Sequence, residues 1–118
     1  MNIQGQLDSA SRLLQQSDSV DAWSRAAAFL ARQALEACVR EAIERRFGKL
    51  LQPSFSSQLI VLRAVVDEEI AREIAWTWSA LSSATHAHGY ELPPTAGELE
   101  RWLETVARLA NELSGVKP

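Results

Sequence analysis

Cysteine is nearly missing from this chain: Cys38 stands alone, so no internal disulfide can form and the scaffold of a small cystine-stapled secreted domain is excluded. Glycine and proline are also scarce, five and four in 118 residues. They leave no Gly/Ser-rich linker, internal repeat or low-complexity tract. No apolar run approaches the roughly 20 residues a bilayer-spanning helix needs, so no membrane segment is expected. A basic excess is lacking as well: 12 Lys and Arg stand against 15 Asp and Glu, a net charge of −3, so bulk attraction to nucleic acid or an anionic surface is not indicated. There is no Cys-x-x-Cys, no glycine-rich phosphate loop, no Gly-x-Ser-x-Gly and no His-Glu-x-x-His, and no cofactor is expected. The first residues, Met1 to Gln6, have neither the basic flank nor the apolar stretch of a secretion leader, and with the lone cysteine they suit a cytoplasmic protein.

What is present is apolar and helical. Hydrophobic residues make up 47% of the sequence, too many for a disordered chain and enough for one core. Residues 1–118 therefore read as a single domain. Alanine and leucine dominate, and β-branched residues never alternate with polar ones over the length of a strand. Leu7, Ala10, Leu13 and Leu14 share one face of a first helix over Gln6 to Gln16. Asp18 or Ser19 can cap a second, from Val20 to Phe47, which Gly48 stops. Its small apolar positions (Ala26, Ala27, Ala34, Ala37, Cys38) cover more than a narrow stripe and mark it as the central helix.

Pro53 prevents a continuous helix through the next turn, and Ser54 or Ser56 can cap the segment around Leu59 to Val66. Asp67-Glu68-Glu69 suits the positive end of a helix dipole, so a bend near Val66 and a long helix from Asp67 to about Thr85 are expected, with one unbroken helix from Ser57 as the alternative. Ile70, Ile74, Trp78 and Leu81 form its core face. Pro93 and Pro94 precede a capping box, Thr95 with Glu98, that opens the last helix; Leu99, Trp102, Leu103, Val106, Leu109 and Leu113 follow at helical spacing until Gly115. Short connections between amphipathic helices predict an all-α, up-and-down antiparallel bundle of four or five helices.

Candidate chemistry gathers at the end of the fourth segment. His86 and His88 titrate near neutral pH and can act as acid or base; with Glu91 they could also hold a metal. An i, i+2 pair does not share a helix face, so a structural role at the helix end is the stronger reading, and no metal is expected. Arg40, Arg45, Arg46 and Lys49 make a basic group at the end of the second helix. With Glu41 and Glu44 interleaved and no aromatics between them, they read as a solvated helix end. Four tryptophans are present; Trp23, Trp78 and Trp102 fall at core positions. Trp76 and Trp78 cannot both face inward, so an outward Trp76 would mark a partner surface. Cys38, among small apolar residues, reads as an inert core thiol. Candidate binding residues are Trp76 and Arg72 on the helix, and Thr85, Tyr90 and Glu91 at the following loop.

The stretch Ala26-Ala27-Ala28-Phe29-Leu30-Ala31-Arg32-Gln33-Ala34-Leu35-Glu36 is similar to a helix of the HEPN family, small helical domains common in prokaryotic defence and toxin systems. Trp78 to His86 resembles the segment leading to that family's histidine. Gly89-Tyr90-Glu91-Leu92-Pro93 and the capped last helix extend the likeness over about residues 22–113. The resemblance implies a helical bundle that dimerises. In members with ribonuclease activity it implies an Arg-x(4–6)-His motif, in which arginine orients the phosphate and histidine moves a proton. Counting back from His86 gives Leu81, Ala80 and Ser79, and from His88 gives Ser83, Ser82 and Leu81: no arginine. Arg72 lies roughly 20 Å along the axis from His86. The expectation is therefore a non-catalytic member that works as a homodimer and binds a protein partner. The alternative is a metal-independent ribonuclease using His86 or His88, with RNA phosphate held by Arg32, Arg72 or Arg45-Arg46.

Overall fold

The computed structural model describes residues 3–16, 20–51, 53–86 and 94–118 (of 13–16 and 20–23, the backbone). The Asp18–Ser19 cap, the side chains of Leu13, Leu14 and Trp23, and the loop residues His88, Tyr90 and Glu91 lie outside the described residues.

Five helices follow in order: α1 (Ile3–Gln16), α2 (Val20–Phe47), α3 (Phe55–Leu62), α4 (Glu68–Thr85) and α5 (Ala96–Ser114). No strand occurs among the described residues. Several termini have a local cause. Gly48 takes φ +89° after α2, a left-handed conformation that glycine reaches without steric cost, and its N–H donates to the Glu44 carbonyl at 2.9 Å. Ser54 caps α3 by accepting from the Ser57 N–H at 3.1 Å. α3 and α4 are separate helices: the chain turns at Arg63–Val66 and restarts with Asp67 extended and Glu68 and Glu69 in the first turn. Both arms of the Thr95–Glu98 capping box are made, at 3.1 Å each. α1 begins three residues earlier than the Leu7-centred pattern indicates, at Ile3, which packs against the core.

α1, α2, α4 and α5 form an up-and-down four-helix bundle, with α3 laid against α2 and α4. α2 touches every other helix, whereas among the described residues α1 and α4 do not meet. α2 and α5 are therefore the close diagonal of the bundle. That position explains the composition of α2: Ala27, Ala28, Ala31, Ala34, Leu35, Val39, Ala42 and Ile43 are all fully buried, because neighbours approach from most sides. The long axis, 44 Å, matches the length of a 28-residue helix, about 42 Å at 1.5 Å per residue.

The interior is aliphatic. Leu35, Ile43, Leu62, Ile74, Leu81, Leu99, Leu109 and Leu113 are the largest fully buried side chains. Trp78 and Trp102, expected in the core, sit half-buried at its rim, since the alanine-lined centre has no room for an indole. The Arg45 guanidinium donates to the Leu113 and Val116 carbonyls and ties the end of α2 to the end of α5. The Arg108 guanidinium on α5 donates to the Glu73 carboxylate on α4.

Candidate functional site

α2 and α4 run antiparallel, and one side of their seam is polar. On α2, Phe29, Arg32 (with Gln33), Glu36 and Arg40 follow at three- or four-residue intervals, which stacks them along one face. On α4, Trp78, Ser82 and His86 do the same. The register follows from two contacts: the Trp78 indole N–H donates to Glu36 Oε2 at 3.1 Å, and Arg32 Nη1 lies 3.3 Å from His86 Nε2.

The Arg32–His86 contact joins residues 54 apart in sequence. A guanidinium only donates, so His86 Nε2 is the acceptor, and the proton of the neutral ring is on Nδ1. His86 is exposed and ends α4, its backbone N–H donating to the Ser82 carbonyl at 3.1 Å. The Arg32 guanidinium carbon lies 5.5 Å from the centre of the Phe29 ring, within cation–π range. Two polar atoms beside this pair are buried without a hydrogen-bond partner: Arg32 Nε, and Ser82 Oγ one turn before His86. The pair thus combines a permanent positive charge with a titratable ring at the open end of the seam.

One turn from Arg32, the Phe55 ring stacks on Trp78 with centroids 4.9 Å apart. A cleft of about 370 Å³ opens there, lined by Gln33, Glu36, Arg40, Pro53, Phe55 and Gln58.

The remaining candidates separate. Trp76 is 63% exposed, pointing away from the core, and Arg72 is exposed one turn before it in a 3.4 Å pair with Glu68. Trp76 precedes His86 by ten residues, about 15 Å along the axis, and is not part of the seam. The Thr85 hydroxyl donates to the Leu81 carbonyl at 2.8 Å, which commits it within α4. Tyr90, Glu91 and His88 fall outside the described residues, and among those described no group of three His, Cys, Asp or Glu could hold a metal. Of the basic group, Arg40 pairs with Glu44 and donates to the Leu50 carbonyl, and Arg45 holds the end of α5. Cys38 is buried, and burial, with Glu41 nearby, pushes its thiol up to about 11.

Pairing of Arg32 with His86 escapes any motif search, because spacing along one helix says nothing of a neighbouring helix. The accessible signal was the i, i+4 placement of Arg32 and Glu36 on a helix otherwise rich in alanine. Comparison of the chain with protein-family models, curated proteins and solved structures finds no match.

Proposed function

We propose that this chain is a HEPN-like helical module that acts by binding rather than by catalysis, pairing with a second copy and docking a protein partner in a prokaryotic defence or toxin system. The observation that carries the reading is Trp76, 63% exposed on a helix whose opposite side is core. Tryptophan and arginine are the residue types that most often anchor interfaces, and Arg72 lies one turn away on the same outward side. The Arg72–Glu68 pair is exposed, and such pairs hold together by at most about 1 kcal/mol, so Arg72 is available to re-pair across an interface. Sedimentation equilibrium at tens of micromolar tests the pairing. The wild type is expected to be a dimer and Trp76→Ala a monomer of unchanged helix content. A monomeric wild type, or a dimer indifferent to Trp76→Ala, overturns it.

A second reading, metal-independent ribonuclease, is favoured by the 3.3 Å approach of Arg32 to His86. An arginine from α2 then stands in for the one that the Arg-x(4–6)-His spacing lacks. In this reading Arg32 grips the phosphate and His86 takes the 2′-hydroxyl proton as that oxygen attacks phosphorus and the 5′-oxygen leaves with a proton from solvent. RNA incubated with chelator should be cut by the wild type and spared by Arg32→Ala and His86→Ala; cleavage unaffected by either change, or none at all, removes the reading.

A further inference from the structure

The α2–α3 cleft is rich in acceptors and poor in free donors. Glu36 keeps one carboxylate oxygen beyond its bond from the Trp78 indole, and none of the ion pairs among the described residues involves it. Gln58 lines the cleft and is 7% exposed. Its Nε2 donates to the Pro53 carbonyl at 3.3 Å, and its buried Oε1 has no partner. The reverse amide orientation would set two oxygens against each other, so Oε1 is the unsatisfied atom. The cation at the edge of the cleft, Arg40, is already balanced by Glu44 at 3.4 Å and by the Leu50 carbonyl at 3.2 Å. Phe55, braced by its stack on Trp78, supplies an aromatic wall.

A buried carbonyl oxygen without a partner is costly, and a carboxylate without a counter-ion raises the local negative potential. The group that satisfies both must donate several hydrogen bonds, carry positive charge and present a flat face to Phe55. A guanidinium does all three, whereas an ammonium lacks the plane and the fork of donors.

We propose that this cleft binds the guanidinium of an arginine side chain presented by a protein partner, with Glu36 as counter-ion, Phe55 as stacking wall and Gln58 Oε1, which must turn outward from its buried position, as second acceptor. The source of the group rests on the reading of the chain as a protein-binding module; the chemistry of the cleft does not depend on Trp76.

The Trp78 indole N–H reports directly, because its acceptor is Glu36. N-acetyl-arginine amide is titrated into the full chain carrying ¹⁵N-tryptophan, with the Trp78 resonance assigned by Trp78→Phe. That resonance should shift saturably with the arginine amide and stay still with the citrulline amide, which has the same shape but no charge. Glu36→Gln should weaken binding about tenfold, the effect of losing one charge-assisted hydrogen bond. A shift that does not saturate, an equal response to citrulline, or unchanged affinity in Glu36→Gln overturns the proposal. Saturation by guanosine with no response to the arginine amide also overturns it, in favour of a nucleobase site. The citrulline comparison uses unmodified protein and so holds even if Glu36→Gln disturbs folding. Because the Trp76→Ala experiment reads association state, either result can fail without the other.

Discussion

Cys38 and Thr77 are both sealed in the bundle, with opposite consequences for stability. The Cys38 thiol is raised from its ordinary value of 9.0 to about 11, first by burial and then by Glu41. The unfolded chain gives up this proton near pH 9 and the folded one only near 11, so the stabilisation is complete below about pH 9 and is lost as pH rises through 11. Cys38→Ala should therefore show a shallower alkaline fall in urea-unfolding free energy than the wild type, with a constant offset between them at neutral pH. Thr77 is fully buried on α4 and its hydroxyl has no partner. Thr77→Val, nearly isosteric, should raise the unfolding free energy by about 1 kcal/mol, because an unmade hydrogen bond is removed rather than a made one. At this scale the sequence was partly readable. The i, i+2 relation of Trp76 and Trp78 forced one of them outward, and Trp76 is the outward one. The environment of Cys38 followed from its small neighbours. Arg32–His86 and Glu36–Trp78 were not readable, since each depends on the register between two helices far apart in the chain.

The helices were legible where backbone chemistry punctuates them. Thr95 with Glu98, Gly48 and Ser54 act on residues within four positions of themselves, so pattern and outcome coincide. Thr95 accepts from the Glu98 N–H at 3.1 Å while Glu98 accepts in return. Thr95→Ala should cost about 1 kcal/mol in urea unfolding. Thr95→Ser should cost far less, because it keeps the oxygen that accepts. The division between α3 and α4 was open in the sequence, as no proline or glycine marks it. It is set by tertiary packing: Leu62 is fully buried beneath the turn, and the Val65 and Val66 N–H groups bond back to its carbonyl. The start of α1 was misplaced because the apolar pattern was read from Leu7 onward, whereas Ile3, one turn earlier, also packs on the core.

For the molecule as a whole, amphipathic stripes and short connections sufficed to predict the bundle, and the five helices keep the expected order. The composition of the interior was less legible: aromatic side chains read as core lie at its rim, because helix periodicity shows which face points inward and not how wide the gap is. Along the close diagonal that gap is narrow. Ala27, Ala28, Ala31 and Ala34 have no solvent exposure, and a methyl group gives up no rotamer freedom on burial. The axis of the bundle is thus ordered at little entropic expense, but it is intolerant of growth. Ala31→Leu, a change that raises hydrophobicity at only a small loss of helix propensity, should wedge the rods apart and lower the unfolding free energy by about 1–3 kcal/mol. Trimming this centre is hardly possible, so variation there is limited mainly by side chains too large to fit.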